Sequence, residues 1–325
     1  MTKFNKHKQS AAKLLCFALL LTSLFAASLK LINAQKVELG ISPPITEVII
    51  APGKKFTQRY IVSNFSESDI VLTPLIFKLT AKDEFGTADI ANEPETQGPF
   101  FNFFSIAQGK LDGGKLIKIG KDQTIELPLT ITIPEGSQEI DYYASFVLQS
   151  TSSLQNLGSG QITNAGIATN LLISVSKSGL PQKNASVIEF SAPKIIDSFF
   201  SIPYQIRIKN TGNSFFKPIG DIETKGLFVN QRLNIAPQNI LSGTVRQVKC
   251  VKNEELVECK TDSQFLLGKY THNLVFTLDE EGKQVSADTE TIALPFGLIF
   301  ALFVPFFIFK FIYAKYRNNN ENSHK

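Results

Sequence analysis

Two cysteines offer the best-defined chemistry in this sequence. Cys250 and Cys259 flank the segment VKNEELVE, in which two short β-prone runs surround the turn-forming residues Asn253-Glu254-Glu255. This pattern predicts a β-hairpin, and folding it would bring the two thiols together. The third cysteine, Cys16, lies in the N-terminal apolar run, so Cys250 and Cys259 are the two cysteines left in the strand-rich region. In an exported domain we expect such a pair to form a disulfide. Two free thiols on one hairpin are the alternative.

The other titratable residues do not form a pattern typical of catalysis. His272 is the one histidine between residues 35 and 293, and its position in the strand-like sequence YTHNL favours a packing or surface role. The adjacent carboxylates Asp83-Glu84 and Glu254-Glu255 lie in turn-like segments, where we expect solvent around them. The motifs of α/β-hydrolases, zinc proteases and P-loop enzymes are missing. We therefore predict a protein that is not an enzyme and has no metal site and no cofactor.

One aromatic segment is a candidate binding feature. The sequence FFNFFSI places Phe100, Phe101, Phe103 and Phe104 close together, directly after the polar loop 83–99. These rings could form an aromatic lip for a ligand. Alternatively, the segment is a strand or short helical turn that covers the core of a sandwich. The sequence does not decide between these two interpretations.

The elements that must position these residues are β-strands. In residues 121–133 apolar and polar side chains alternate with period two, which is typical of a half-buried strand. Similar segments, separated by turn signals, recur on both sides of a Gly- and Pro-containing stretch. We predict an all-β fold with two tandem immunoglobulin-like antiparallel β-sandwiches followed by a single transmembrane α-helix. Domain 1 spans 35–177, the linker 178–184 and domain 2 185–293.

The N-terminal segment 1–34 is typical of a secretory signal peptide. It has a basic start, an apolar run and a small-residue end, and we expect cleavage between Ala34 and Gln35. Cleavage after Ala27 and an uncleaved signal anchor are the alternatives.

The segment 294–314 is predicted to be the transmembrane helix. It is apolar apart from Lys310, whose long side chain can reach the headgroups, and about 20 such residues cross a bilayer. A buried core helix is the alternative. The short tail 315–325 begins with Lys315 and Arg317, which places it in the cytoplasm by the positive-inside rule. We expect a single-pass type I protein of the plasma membrane with extracytoplasmic domains.

The net charge does not indicate a nucleic-acid partner. The chain carries +4 overall, but its basic excess lies in the two flanks, and the strand-rich region between them is acidic. A positive flank next to an apolar segment sets membrane topology rather than binding phosphates.

A series of short motifs, followed by the span and the basic tail, resembles the bacterial WxL-interacting surface protein family. The motifs are Ser42-Pro43-Pro44, Ala51-Pro52-Gly53 and Val62-Ser63-Asn64 in the first domain, then Ile208-Lys209-Asn210-Thr211-Gly212-Asn213, Lys217-Pro218-Ile219-Gly220-Asp221-Ile222, Leu241-Ser242-Gly243-Thr244-Val245-Arg246 and Gly268-Lys269-Tyr270 in the second. The resemblance implies two immunoglobulin-like domains and a C-terminal anchor. It also implies peptidoglycan contact by the first domain and a partner surface protein or host ligand for the second.

The function expected from these observations is binding at the cell surface. We predict a non-enzymatic single-pass surface protein that presents two β-sandwiches to the cell wall (peptidoglycan) or to surface proteins. An accessory membrane subunit of a transport or secretion complex is the alternative. The start of the first domain also resembles periplasmic pilus chaperones, but those proteins are soluble, and the predicted span argues against that interpretation.

Overall fold

The computed structural model describes residues 37–107, 111, 114–150, 165–227, 229–262, 265–279 and 282–322, with the side chains of the C-terminal helix described as far as residue 315. The chain is predominantly β and ends in one long apolar helix, which confirms the predicted fold class at that level. The predicted signal peptide and its cleavage site, Ala34–Gln35, lie outside the described residues.

The N-terminal half of the described chain folds into two facing sheets, which we call the first sheet pair. Its strands are β1 (Leu39–Ser42), β2 (Ile45–Ile50), β3 (Lys55–Asn64), β4 (Ile70–Ala81), β5 (Ala88–Ile90), β6 (Phe104–Ile106), β7 (Ile117–Ile119), β8 (Thr124–Thr132), β9 (Asp141–Ser150) and β10 (Gly166–Val175). One sheet has the order β1-β3-β8-β6, and the other has β2-β10-β9-β4-β5 with β7 paired to β4. The chain changes sheets at the cis peptide bond Ser42-Pro43, and β2 then pairs in parallel with β10.

The core of the first sheet pair follows the period-two pattern of its strands. Leu127, Leu129 and Ile131 of β8 are buried, as the alternation in the sequence predicts. From the opposite sheet, β9 contributes Phe146, whose ring centroid lies 5.6 Å from that of Tyr60 in β3. Apolar burial between the two sheets is the main stabilising contribution of this arrangement.

The second half of the described chain forms the second sheet pair. Its strands are β11 (Ala185–Ser191), β12 (Ile195–Asp197), β13 (Gln205–Asn210), β14 (Ile219–Lys225), β15 (Asn230–Asn234), β16 (Val245–Gln247), β17 (Cys250–Lys252), β18 (Glu255–Val257), β19 (Gly268–Thr277) and β20 (Gln284–Leu294). The sheets have the orders β11-β13-β16 and β12-β20-β19-β14-β15, and β17-β18 is a separate hairpin. A second core lies between the sheets and includes Ile206, Ile208, Leu274 and Phe276.

Each sheet pair holds a fully buried asparagine at the end of a strand. Asn64 ends β3, and its side-chain amide donates to three backbone carbonyls, including that of Ser68 at 2.8 Å. Asn210 ends β13 in the same way and donates to the carbonyl oxygens of Ser214 at 2.8 Å and Ile240 at 2.9 Å. Because buried carbonyls need a donor, these amides fix the loops that follow β3 and β13. The loop after β13 reaches the first sheet pair.

The helix α1 (Phe296–Asn322) follows β20 with Pro295 as the sole connecting residue. Strand β20 continues to Leu294, so the helix begins later than the predicted span 294–314. Within the described residues, Phe296–Lys315 is the one helical stretch long and apolar enough to cross a bilayer, and none of it is buried. Exposure of apolar side chains on all sides disagrees with the buried-core alternative and suits a lipid environment.

Candidate binding site between the two sheet pairs

The aromatic segment lies against the first core rather than on an exposed lip. Phe101–Phe103 form a 3₁₀ turn and Phe104 begins β6. Phe101, Phe103 and Phe104 are at most 5% exposed, and Phe100 packs edge-to-face on Phe104 at 5.3 Å. An aromatic lip for a ligand requires exposed rings. The burial of Phe101, Phe103 and Phe104 therefore favours the alternative in which the segment covers the core, and Phe100 alone is half-buried.

His272 is packed inside the second sheet pair. Its Nδ1 lies 2.9 Å from the Tyr204 hydroxyl and 3.2 Å from that of Thr224, and its Nε2 lies 3.1 Å from the hydroxyl of Thr291. Burial lowers the pKa of the imidazole to about 4, so the ring is neutral near pH 7. A neutral ring with a partner at both nitrogens is a structural group, as the sequence analysis favours.

The predicted hairpin and its disulfide are both present. Cys250 and Cys259 are bonded, and β17 pairs with β18 across the two-residue turn Asn253-Glu254. Both turn residues have positive φ, which suits the tight turn of a hairpin. Among the described residues, no group of three or more His, Cys, Asp or Glu side chains could hold a metal ion.

Asp141, at the start of β9, joins the two sheet pairs. Its carboxylate accepts hydrogen bonds from the Tyr143 hydroxyl, from the backbone N–H of Phe215 and, at 2.6 Å, from the hydroxyl of Ser174. Phe215 belongs to the loop after β13, so one acid connects both units. Burial raises the pKa of this carboxyl, while its hydrogen bonds act in the opposite direction.

A second connection comes from the turn between β4 and β5. The Glu84 carboxylate accepts two hydrogen bonds from the Arg207 guanidinium, at 2.6 and 2.7 Å, and the Glu84 carbonyl accepts one from the backbone N–H of Gln247. Hydrogen bonding to Arg207 lowers the pKa of Glu84. The expectation that solvent surrounds the Asp83-Glu84 pair is therefore wrong for Glu84, whereas Glu254 and Glu255 are exposed as expected.

A third connection involves Glu47 of β2. Its carboxylate accepts a hydrogen bond from the Lys217 ammonium at 2.7 Å and another from the side-chain amide of Asn239. Like the other two connections, this one links residues far apart in sequence. Together the three hold the second sheet pair against the outer face of the six-stranded sheet.

A cavity of about 390 Å³ lies beside the third connection and the β4–β5 turn, and we call it the junction cavity. Its floor is the outer face of the six-stranded sheet, with Ile45, Leu79 and Leu172. Its opposite wall is the segment from Pro237 to Arg246, together with Lys217. A volume of this size is typical of a pocket for a small molecule or a short polymer segment.

The wall of the junction cavity contains polar atoms that lack partners. Of the four buried side-chain polar atoms without a hydrogen bond in the described part of the chain, three are Gln238 Oε1, Asn239 Oδ1 and Arg246 Nε. Arg246 donates through Nη1 to the Asn239 carbonyl at 2.7 Å, and burial lowers its pKa while Asp83 opposes that effect. Buried polar atoms normally have partners, so this concentration makes the wall the candidate site for contact with a ligand.

Sequence reasoning missed this site because its residues are brought together only by the fold. Two motifs of the family resemblance reach the cavity wall: Leu241–Arg246 forms part of it, and Lys217 begins the other motif. No local sequence pattern indicates that Asp141, Glu47 or Arg207 contributes to this site.

No family model and no curated protein matches this chain. Among solved structures, it is similar to the class 5 fimbriae chaperone CfaA, with 12% identity over 79% of this chain and 100% of that chain and a TM-score of 0.38. It is also similar to the CsuC–CsuE chaperone–tip adhesion subunit complex from Csu pili of Acinetobacter baumannii, with 12% identity, coverage of 79% and 99%, and a TM-score of 0.37. A PapD-like domain of human CEP192 matches at 11% identity, coverage of 46% and 92%, and a TM-score of 0.29. TM-scores this low do not indicate a function for this chain.

Proposed function

We propose that this chain is a non-enzymatic, membrane-anchored binding protein that holds a segment of a partner surface protein in the junction cavity. The observation that carries the proposal is the cavity wall, where Gln238, Asn239 and Arg246 keep polar atoms without partners. Both sheet pairs line the cavity, so a ligand there would contact both at once.

A polypeptide suits this cavity better than a strongly charged ligand. The charged side chains at its wall are two acids, Glu47 and Asp83, and two bases, Lys217 and Arg246. Glu47 and Lys217 already neutralise each other at 2.7 Å. A polypeptide backbone carries N–H donors for the two amide oxygens and carbonyl acceptors for the guanidinium, with side chains for the apolar floor. These three atoms are buried within the wall, so a ligand reaches them only after the side chains of Gln238, Asn239 and Arg246 rearrange.

In this proposal the two sheet pairs are tandem immunoglobulin-like domains outside the membrane, α1 is the single span, and the tail is cytoplasmic. The apolar, exposed stretch Phe296–Lys315 of α1 and the basic residues Lys315 and Arg317 near its end support this placement. Peptidoglycan contact, membership in the WxL-interacting family, the predicted domain boundaries and the accessory-subunit alternative stay predictions from the sequence. Labelling of intact cells with an impermeant maleimide tests the topology: Lys121→Cys should react and Lys315→Cys should not.

Site-specific cross-linking in the native membrane tests the binding site. A photoreactive amino acid replaces Thr80, an exposed residue of β4 at the cavity, in the full chain. The matched control replaces Thr57, an exposed threonine of β3 in the other sheet. We expect a discrete protein adduct from position 80 and none from position 57.

A second variant shows whether that adduct reports on the cavity itself. Ala88→Trp adds a bulky side chain at an exposed position of the cavity rim, so it should abolish the adduct from position 80 without unfolding the chain. Equal adducts from both threonine positions, or an adduct that survives Ala88→Trp, would contradict the proposal.

A further inference from the structure

Exposed apolar side chains gather on separate loops of the second sheet pair. Phe199 and Phe200 follow β12, Leu227 follows β14, and Phe265 precedes β19. Their exposed fractions are 53%, 65%, 72% and 42%. Phe199 and Phe265 touch edge-to-face, with ring centroids 5.4 Å apart. We call these four residues the apolar collar.

Strand register places the whole collar at the end of the sheet from which α1 emerges. Strand β12 runs parallel to β20, with Asp197 opposite Leu294. Strand β19 begins at Gly268, opposite Ala293 near the end of β20, and β14 ends opposite the same part of β19. The loops that follow β12 and β14 and the segment that precedes β19 therefore lie level with the start of the helix.

Hydrogen bonds fix the collar to the first turn of α1. The backbone N–H of Ser198 donates to the Leu294 carbonyl at 3.0 Å. The Asp197 carboxylate accepts from the N–H of Phe199 at 3.0 Å and, through its other oxygen, from the N–H of Gly297 at 2.9 Å. Gly297 lies in the first turn of the helix, whose N–H groups lack partners within the helix. One carboxylate therefore holds both the aromatic loop and the helix start.

We propose that the apolar collar docks into the interface of the bilayer that α1 spans, and thereby fixes the orientation of the second sheet pair on the membrane. The inference rests on the proposed function, in which α1 is the anchor. Because α1 enters the hydrocarbon at Phe296, side chains tied to Leu294 and Gly297 lie at the depth of the headgroups and upper acyl chains. Amphipathic and aromatic side chains at that depth are stabilised by contact with lipid. The bilayer thus covers an apolar surface that would otherwise face water.

Fluorescence quenching by lipid tests this docking, because the chain contains no tryptophan and one can be added as a reporter. The full chain is reconstituted in phosphatidylcholine nanodiscs with bromine on the upper acyl carbons. Phe200→Trp reports on the collar, Phe300→Trp on the span and Leu180→Trp on an exposed apolar site before β11, in the segment that lies near the first sheet pair. We expect brominated lipid to remove most of the emission at positions 200 and 300 and to leave position 180 unchanged.

The outcomes separate the collar from the anchor. Quenching at position 300 without quenching at position 200 overturns the docking and leaves the anchor intact. No quenching at position 300 overturns the anchor, and the docking with it. Leu227→Trp places a reporter in the same collar on a different loop. It therefore tests the docking even if Phe200→Trp fails to fold.

Discussion

His272 makes the second sheet pair sensitive to acid. Its imidazole is buried between the hydroxyl groups of Tyr204, Thr224 and Thr291, and burial lowers its pKa from 6.5 to about 4. The neutral ring can accept at Nδ1 and donate from Nε2, which suits these partners. Protonation would place a charge in the core and turn the accepting nitrogen into a donor.

The sign and size of the effect follow from linkage. Between pH 6.5 and about pH 4 the unfolded chain binds a proton at this histidine and the folded chain does not. The free energy of unfolding therefore falls as the pH is lowered through this window, by at most about 1.4 kcal/mol per pH unit. A shift of this size amounts to roughly 3 kcal/mol by pH 4, a large share of the stability of a typical domain.

Urea unfolding followed by circular dichroism from pH 7.5 to pH 4.5 measures this dependence in the full chain. The comparison is with His272→Gln, whose amide can still donate and accept but does not titrate. Carboxylates such as Asp141 titrate in both proteins, so the difference between the two pH profiles isolates the histidine. Parallel profiles for the two proteins would refute the reasoning.

Three further substitutions have definite expected results, each measured by the urea midpoint of the full chain. Cys250→Ser should lower the free energy of unfolding by about 2–3 kcal/mol and make it insensitive to reductant. A variant that reductant still destabilises would contradict the Cys250–Cys259 disulfide. Asn210→Ala removes the buried amide that donates to the Ser214 and Ile240 carbonyls and accepts from the Gly212 N–H, so it should cost about 2 kcal/mol or more. The exposed Asn230→Ala should change stability by less than about 0.5 kcal/mol, and equal losses would exclude the buried amide as the cause. Gly86→Ala would place a side chain at a φ of +89° and bring its Cβ against the guanidinium of Arg246, so it should weaken the partner cross-link and lower stability by about 1–3 kcal/mol. An unchanged cross-link would show that this turn does not shape the cavity.

Features set by neighbouring residues were predictable from the sequence. The alternation in β8 places Leu127, Leu129 and Ile131 in the core, as period two requires. The hairpin around Asn253-Glu254 and its disulfide follow from a few adjacent residues, because a two-residue turn fixes the register of its strands. The apolar helix was equally clear, since its signal is composition rather than contact.

Features set by long-range packing were not predictable. The ion pair of Glu84 with Arg207 joins residues 123 positions apart, and nothing near either residue indicates a partner. The aromatic segment illustrates a different limit, because four phenylalanines can cover a core or line a ligand site. The choice depends on which sheet lies above them, and here β6 turns Phe104 inward.

The direct passage from β20 into α1 has a mechanical consequence. A partner that pulls on the first sheet pair, while the membrane holds α1, loads β20 along its own axis. The β19–β20 ladder, from Gly268–Ala293 to Thr277–Gln284, then resists sliding as a whole, because its hydrogen bonds lie across the direction of force and share the load. The parallel pairing of β12 with the last residues of β20 reinforces the end closest to the lipid. In the proposed function, the second sheet pair therefore transmits tension between the bound partner and the membrane.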